Sequence, residues 1–196
     1  MSRAINQHFA DGIVAFASRQ LRVATGLIGT IGLTIWILKE TGEFYRTSLF
    51  GFVLGLSLLY GVQLRGLLRA DGSVSWTGAL ASSTAWIAGA GFILYGWPTT
   101  LKIFDAFVTP LALIYIAAKL GCHRIGCCGW KTSLRKRRFP SLPLLEVVFT
   151  ALLAISICLL SLTLDLEDGV ACTLFMALHI AEWKFLQQFR NPKKYY

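Results

Sequence analysis

Charge is missing from four long stretches of this chain, and no other feature limits its fold so much. Residues 23–38, 47–64, 72–101 and 147–164 contain no Asp, Glu, Lys or Arg. A helix crossing the roughly 30 Å hydrocarbon layer of a bilayer needs about 20 mostly apolar residues. With 55% of 196 residues apolar, 15% charged and a mean hydropathy of +0.60, the chain carries more apolar surface than a soluble core needs. The fold class expected is an all-α integral membrane protein.

Two shorter stretches complete the pattern. Residues 106–118 contain Pro110 and cross only if Asp105 and Lys119 lie near the two interfaces, with the lysine snorkelling. A re-entrant segment fits them equally. Residues 169–181 continue as a helical pattern through Glu182, Trp183, Phe185 and Phe189 and count as a span. The expectation is a bundle of about six transmembrane helices, the fourth short or re-entrant near Pro110, in one domain over residues 1–196. Residues 1–22 read as an amphipathic cytoplasmic leader, with Ile13, Phe16, Ala17 and Leu21 at helical spacing. No cleavable signal is evident, because His8 and Asp11 interrupt any apolar core before Arg19. Gly26, Gly29, Gly32, Gly51, Gly55, Gly78 and Gly89 are small residues that let helices approach closely in lipid.

With six spans, the cations partition unevenly. Arg3, Arg19, Arg22, Arg65, Arg69, Lys119, Arg124, Lys131, Arg135, Lys136, Arg137, Arg138, Lys184, Arg190, Lys193 and Lys194 share one side; Lys39, Arg46 and Lys102 share the other. The positive-inside rule places both termini, the basic segment 119–141 and the tail 184–196 in the cytoplasm. Such a basic balance, +9 overall, is a footprint for anionic lipid rather than nucleic acid, because the cations cluster at span ends.

Chemistry concentrates in residues 119–130, K-L-G-C-H-R-I-G-C-C-G-W. Cys122, Cys127 and Cys128 lack the paired short spacings of a structural zinc site, so no metal and no cofactor is expected. A cytoplasmic thiol pair is normally reduced. A third reading is a glycine-shaped turn, with Gly121 and Gly126, that offers backbone N–H groups and flanking cations to an anionic headgroup. Glu146, at the start of an apolar run, is a functional candidate because ionisable groups are costly in a membrane; a headgroup-level carboxylate neutralised by nearby cations is the plainer alternative. His179 and Glu182, with Trp183, share a helix face, which also suits an interfacial helix with a tryptophan anchor.

The 119–132 segment resembles a variant of the signature of the prolipoprotein diacylglyceryl transferase family, whose cysteine-containing relatives carry an R-L-G-C-x-x-x-G-C-C-x-G type sequence. S-V-S-W-T-G-A-L at 73–80 is similar to the family's small–aromatic–histidine–glycine motif. S-L-P-L-L-E at 141–146 is similar to P-x-Q-L-Y-E, and the tail H-I-A-E-W-K-F-L-Q-Q-F-R-N-P to Y-G-x-x-R-F-x-x-E-F-x-R-x-P. Four anchors in order cover about residues 70–192.

What the resemblance implies is a lipid-modifying transferase of a bacterial inner membrane, in lipoprotein biosynthesis, acting on an anionic phospholipid such as phosphatidylglycerol. Lys119, Arg124, Arg135, Arg138 and Arg190 would bind the lipid phosphate, and Glu146 or His179 would move the proton. The departures are substantial. Thr77 stands where the family has histidine, Lys119 and Trp183 where it has arginine, His179 where it has tyrosine, and Gln187 where it has glutamate. Lysine does not replace a planar guanidinium fork, and threonine does not carry protons as histidine does near neutral pH. The alternative expectation is a non-catalytic member of that fold, a structural subunit packed against other transmembrane proteins.

Overall fold

The computed structural model describes residues 2–69, 76–125, 141–164 and 166–189, and every regular element among them is helical. These are α1 (Ser2–Thr41), α2 (Phe44–Arg69), α3 (Trp76–Trp86), a π-helical turn (Ile87–Gly91), α4 (Phe92–Ile125), α5 (Leu142–Thr163) and α6 (Val170–Gln187). Three stretches, Val23–Thr41, Gly78–His123 and Leu142–Thr163, are long and apolar enough to cross a membrane.

Helix α1 has 40 residues, about 60 Å at 1.5 Å per residue. Residues 2–22, within the expected amphipathic leader, are therefore continuous in helical backbone with the first apolar run. The apolar stretch Gly78–His123, at 46 residues, would reach roughly 70 Å if straight. It is not straight. Gly96 has φ 75 and ψ 170, and Thr100 lies 3.2 Å from the point where a Cβ on Gly91 would stand. Nine residues of unbroken helix would separate those positions by about 13 Å. The chain doubles back at 96–98, with glycine in a backbone region nearly closed to other residues and Pro98 supplying a fixed φ where a new helical arm begins.

The helix that follows this turn corrects two expectations. The segment after the turn is neither short nor broken near Pro110, since helical backbone runs through the proline to Ile125. Pro110 donates no N–H to the preceding turn, yet its ring fits against α1, where a Cβ on Gly29 would lie 2.6 Å from the proline Cβ. The contact between helices offsets the missing hydrogen bond, as neighbouring helices do for prolines in lipid. The basic segment expected from 119 likewise begins later, because Lys119 and the residues to Ile125 are still helical.

Polar contacts between helices fix the rest. Ser82 Oγ donates to the Ser57 carbonyl at 2.7 Å and Trp86 Nε1 to that of Phe50 at 3.2 Å, joining α2 to α3. Tyr95 donates to Thr47 at 3.2 Å, and Phe50, Leu54, Ile87, Ile103, Phe107, Leu111 and Phe175 fill the core. Not every small residue serves packing: Gly51 faces Thr34 closely, whereas Gly32 and Gly89 meet nothing within 4 Å. The Asp105 carboxylate on α4 accepts from the backbone N–H of Gly169 at 2.7 Å and of Cys172 at 2.8 Å, capping the start of α6. Ten residues further along α4 and about as far along α6, Tyr115 meets His179, so these two helices run parallel. Helix α5 runs in the opposite sense, since its first turns meet the last turns of α4.

The outside of the bundle is apolar. Ile28, Ile35, Leu49, Phe52 and Ile93 are exposed, and Val148, Leu152, Ile155, Leu159 and Leu162 make one exposed stripe along α5. A monomer in water rarely presents such a continuous surface, while hydrocarbon solvates it.

Candidate functional site

Ionisable groups gather where α4, α5 and α6 meet. On α4, Tyr115 and Lys119 are one turn apart on a single face, as are Glu146 and Thr150 on α5 and Phe175 and His179 on α6. All six are buried. The Glu146 side chain has 0% exposure, and its Oε2 lies 2.7 Å from Lys119 Nζ. A carboxylate so placed needs a matching charge, because removing one partner of a buried pair leaves an uncompensated ion. The Lys119 ammonium also stands 5.0 Å from the centre of the Tyr115 ring, close enough for a cation–π attraction.

The His179 imidazole is held on three sides. Tyr115 meets it edge-on with ring centres 4.5 Å apart, Phe175 stacks on it at 5.5 Å and 8°, and its Nδ1 lies 3.3 Å from Glu182 Oε2. Three buried polar atoms on α5 and α6, His179 Nε2, Thr150 Oγ1 and Glu182 Oε1, have no hydrogen-bond partner among the described residues. Most buried polar groups have partners, so these atoms mark a place suited to a hydrogen-bonding ligand.

Of the residues singled out in the sequence, the structure brings Lys119, Glu146 and His179 together. Gly121 is buried on the last turns of α4, and Cys122 is half-buried beside it. His123 Nδ1 pairs with Ser141 Oγ at 2.5 Å, tying the end of α4 to the start of α5. Arg124 lies on α4 by its backbone. Gly126, Cys127, Cys128, Arg135, Arg138 and Arg190 lie outside the described residues; of the turn expected of the signature, Gly121 is helical in α4 and the remainder from Gly126 lies outside them. Among the described residues no three His, Cys, Asp or Glu side chains gather as a metal ion would need. Sequence reasoning missed Tyr115 and Thr150, and it left Glu182 without a role. The available signal was spacing, since a tyrosine one turn before a lysine that ends an apolar run and a threonine one turn after a glutamate that begins one share those residues' faces.

Chemically, the cluster combines a neutralised cation, a carboxylate and an oriented imidazole under nearly complete exclusion of water. A phosphate reaching Lys119 would have to compete with Glu146. Proton transfer at His179 faces no such competition. Compared with protein-family models, curated proteins and solved structures, the chain matches none of them.

Proposed function

We propose that the chain is an integral membrane protein crossing six times, and that it is a lipid-modifying transferase related to the prolipoprotein diacylglyceryl transferases, acting on an anionic phospholipid. One observation carries this reading. Lys119, Glu146 and His179 come from three separate anchors of the resemblance, the signature, the later span and the tail, and they converge in one buried cluster. The reversal at Gly96 supports the count of crossings, since it yields two arms from one apolar stretch. Sixteen of nineteen cations then share the side of the cluster, which the positive-inside rule makes cytoplasmic.

In this reading Arg124, Arg135, Arg138 and Arg190 draw the lipid phosphate towards Lys119. A thiol or hydroxyl acceptor attacks the glyceryl carbon of the lipid, and its proton passes to Glu146 or His179. The carbon–oxygen bond to phosphate breaks, and the phosphate leaves with the bonding pair. Cations near the departing oxygens help because negative charge develops there.

One contact favours a second reading, a non-catalytic subunit of a membrane complex. The 2.7 Å pairing of Lys119 with Glu146 already uses both charges to join α4 to α5. Purification in mild detergent, followed by incubation with phosphatidylglycerol and a cysteine peptide, separates the two. Consumption of the lipid with release of glycerol phosphate, lost in Glu146→Gln, is the outcome expected of the transferase. A stoichiometric complex with other membrane proteins and no lipid turnover would establish the subunit instead.

A further inference from the structure

We propose that Glu182 and His179 form a carboxylate–imidazole dyad on α6, and that His179 Nε2, rather than Glu146, accepts the proton of the incoming thiol or hydroxyl. The catalytic part of this inference rests on the transferase reading; the dyad itself does not.

The argument starts from donors and acceptors. An ionised carboxylate only accepts hydrogen bonds, so the contact between Glu182 Oε2 and His179 Nδ1 at 3.3 Å puts the imidazole hydrogen on Nδ1. The neutral ring then carries its lone pair on Nε2. That nitrogen is buried, with the residue 4% exposed, and has no hydrogen-bond partner among the described residues. Its direction is set by more than Glu182, because Phe175 stacks on the ring and Tyr115 abuts its edge. Orientation of an imidazole by a carboxylate, with the far nitrogen facing the reacting group, is the arrangement by which histidine acts as a general base.

Glu146 is poorly placed for the same task. Protonating it would break the 2.7 Å pair and leave the Lys119 ammonium buried without its counter-charge. The groups that meet the His179 ring are Tyr115 from α4 and Phe175 and Glu182 from its own helix, and the nearest charges beyond Tyr115 are Lys119, over its ring, and Glu146, paired with that lysine. Lys119 and Glu146 cancel, and Glu182 is left to stabilise the imidazolium once it forms. Such a site takes a neutral, proton-bearing group. As the acceptor's sulfur or oxygen bonds to the glyceryl carbon, its proton moves to Nε2 and the phosphate departs with the electrons of the broken carbon–oxygen bond.

The dyad can be read without turnover. In the full chain in detergent, with His8 and His123 replaced by glutamine, His179 is the sole imidazole, and nitrogen NMR of labelled histidine at mildly alkaline pH reports its tautomer. The expected spectrum has a protonated Nδ1 and a bare Nε2. Glu182→Gln, whose amide can donate to Nδ1, should shift a large share to the Nε2–H form. A wild-type ring with its hydrogen on Nε2, or a tautomer ratio unchanged by Glu182→Gln, would overturn the proposal. In the lipid assay, His179→Gln should lower turnover by about 10²–10⁴-fold, and full activity in that variant would also overturn it. A wild-type chain that turns over no lipid would instead sink the transferase reading and leave the tautomer result standing.

Discussion

Glu146 sits where no water reaches, and its carboxylate is paired there with the Lys119 ammonium. Breaking a buried pair from one side typically costs about 3–5 kcal/mol, whereas exchanging both partners for apolar residues is often neutral or stabilising. Thermal unfolding in detergent should accordingly show Glu146→Leu and Lys119→Met each strongly destabilised, and the double variant recovering most of that loss. Additive losses in the double variant would mean the two charges do not compensate each other. The same pair shows how much of the cluster could be read in advance. Lys119, Glu146 and His179 stand out in a sequence because each is polar at the end of an apolar run. Tyr115 and Thr150 do not, since phenol and hydroxyl groups occur within membrane helices without consequence. The role of Glu182 depended on a distance that helix periodicity alone does not fix.

Helix α6 begins where a residue of another helix satisfies its first N–H groups. Asp105 supplies both acceptors, at 2.7 and 2.8 Å, in a position usually filled by a side chain just before the helix. Loss of a helix cap typically costs about 0.5–2 kcal/mol. Asp105→Ala should therefore destabilise the protein by that order and speed amide hydrogen exchange at Cys172, with little change in α2. At Gly96 the cost has a different origin. A Cβ there would meet nothing within 4 Å, so Gly96→Ala would be penalised through its backbone alone, by about 1–3 kcal/mol for that region; an unchanged melting temperature would refute this. These elements also explain what the sequence concealed. Pro110 reads as a breaker because it lacks an N–H, but its fit against Gly29 is a contact between helices far apart in sequence. The run 72–101 is longer than one crossing needs, and the glycine that makes the reversal lies within it.

At the scale of the whole molecule, the apolar runs made an all-helical, membrane-compatible fold legible, while the reversal at Gly96 was hidden inside one of those runs. The turns at Gly42 and Gly96 and the loop ending at Gly169 all carry a glycine of positive φ, and helix directions put them at the end of the bundle away from Lys119, Glu146 and His179. His123 and Ser141 lie at the other end. In a six-crossing chain Glu43 and Asp168 would then face one compartment and His123 the opposite one. In a chain whose native cysteines are changed to serine, single cysteines at Glu43 and Asp168 should react with an impermeant thiol reagent applied from outside intact cells. One at His123 should react only after the membrane is opened. Protection at Glu43 together with labelling at Asp168 would mean that the arms either side of Gly96 do not both cross, which would remove the six-crossing topology and leave the α4–α5–α6 cluster to be explained by itself.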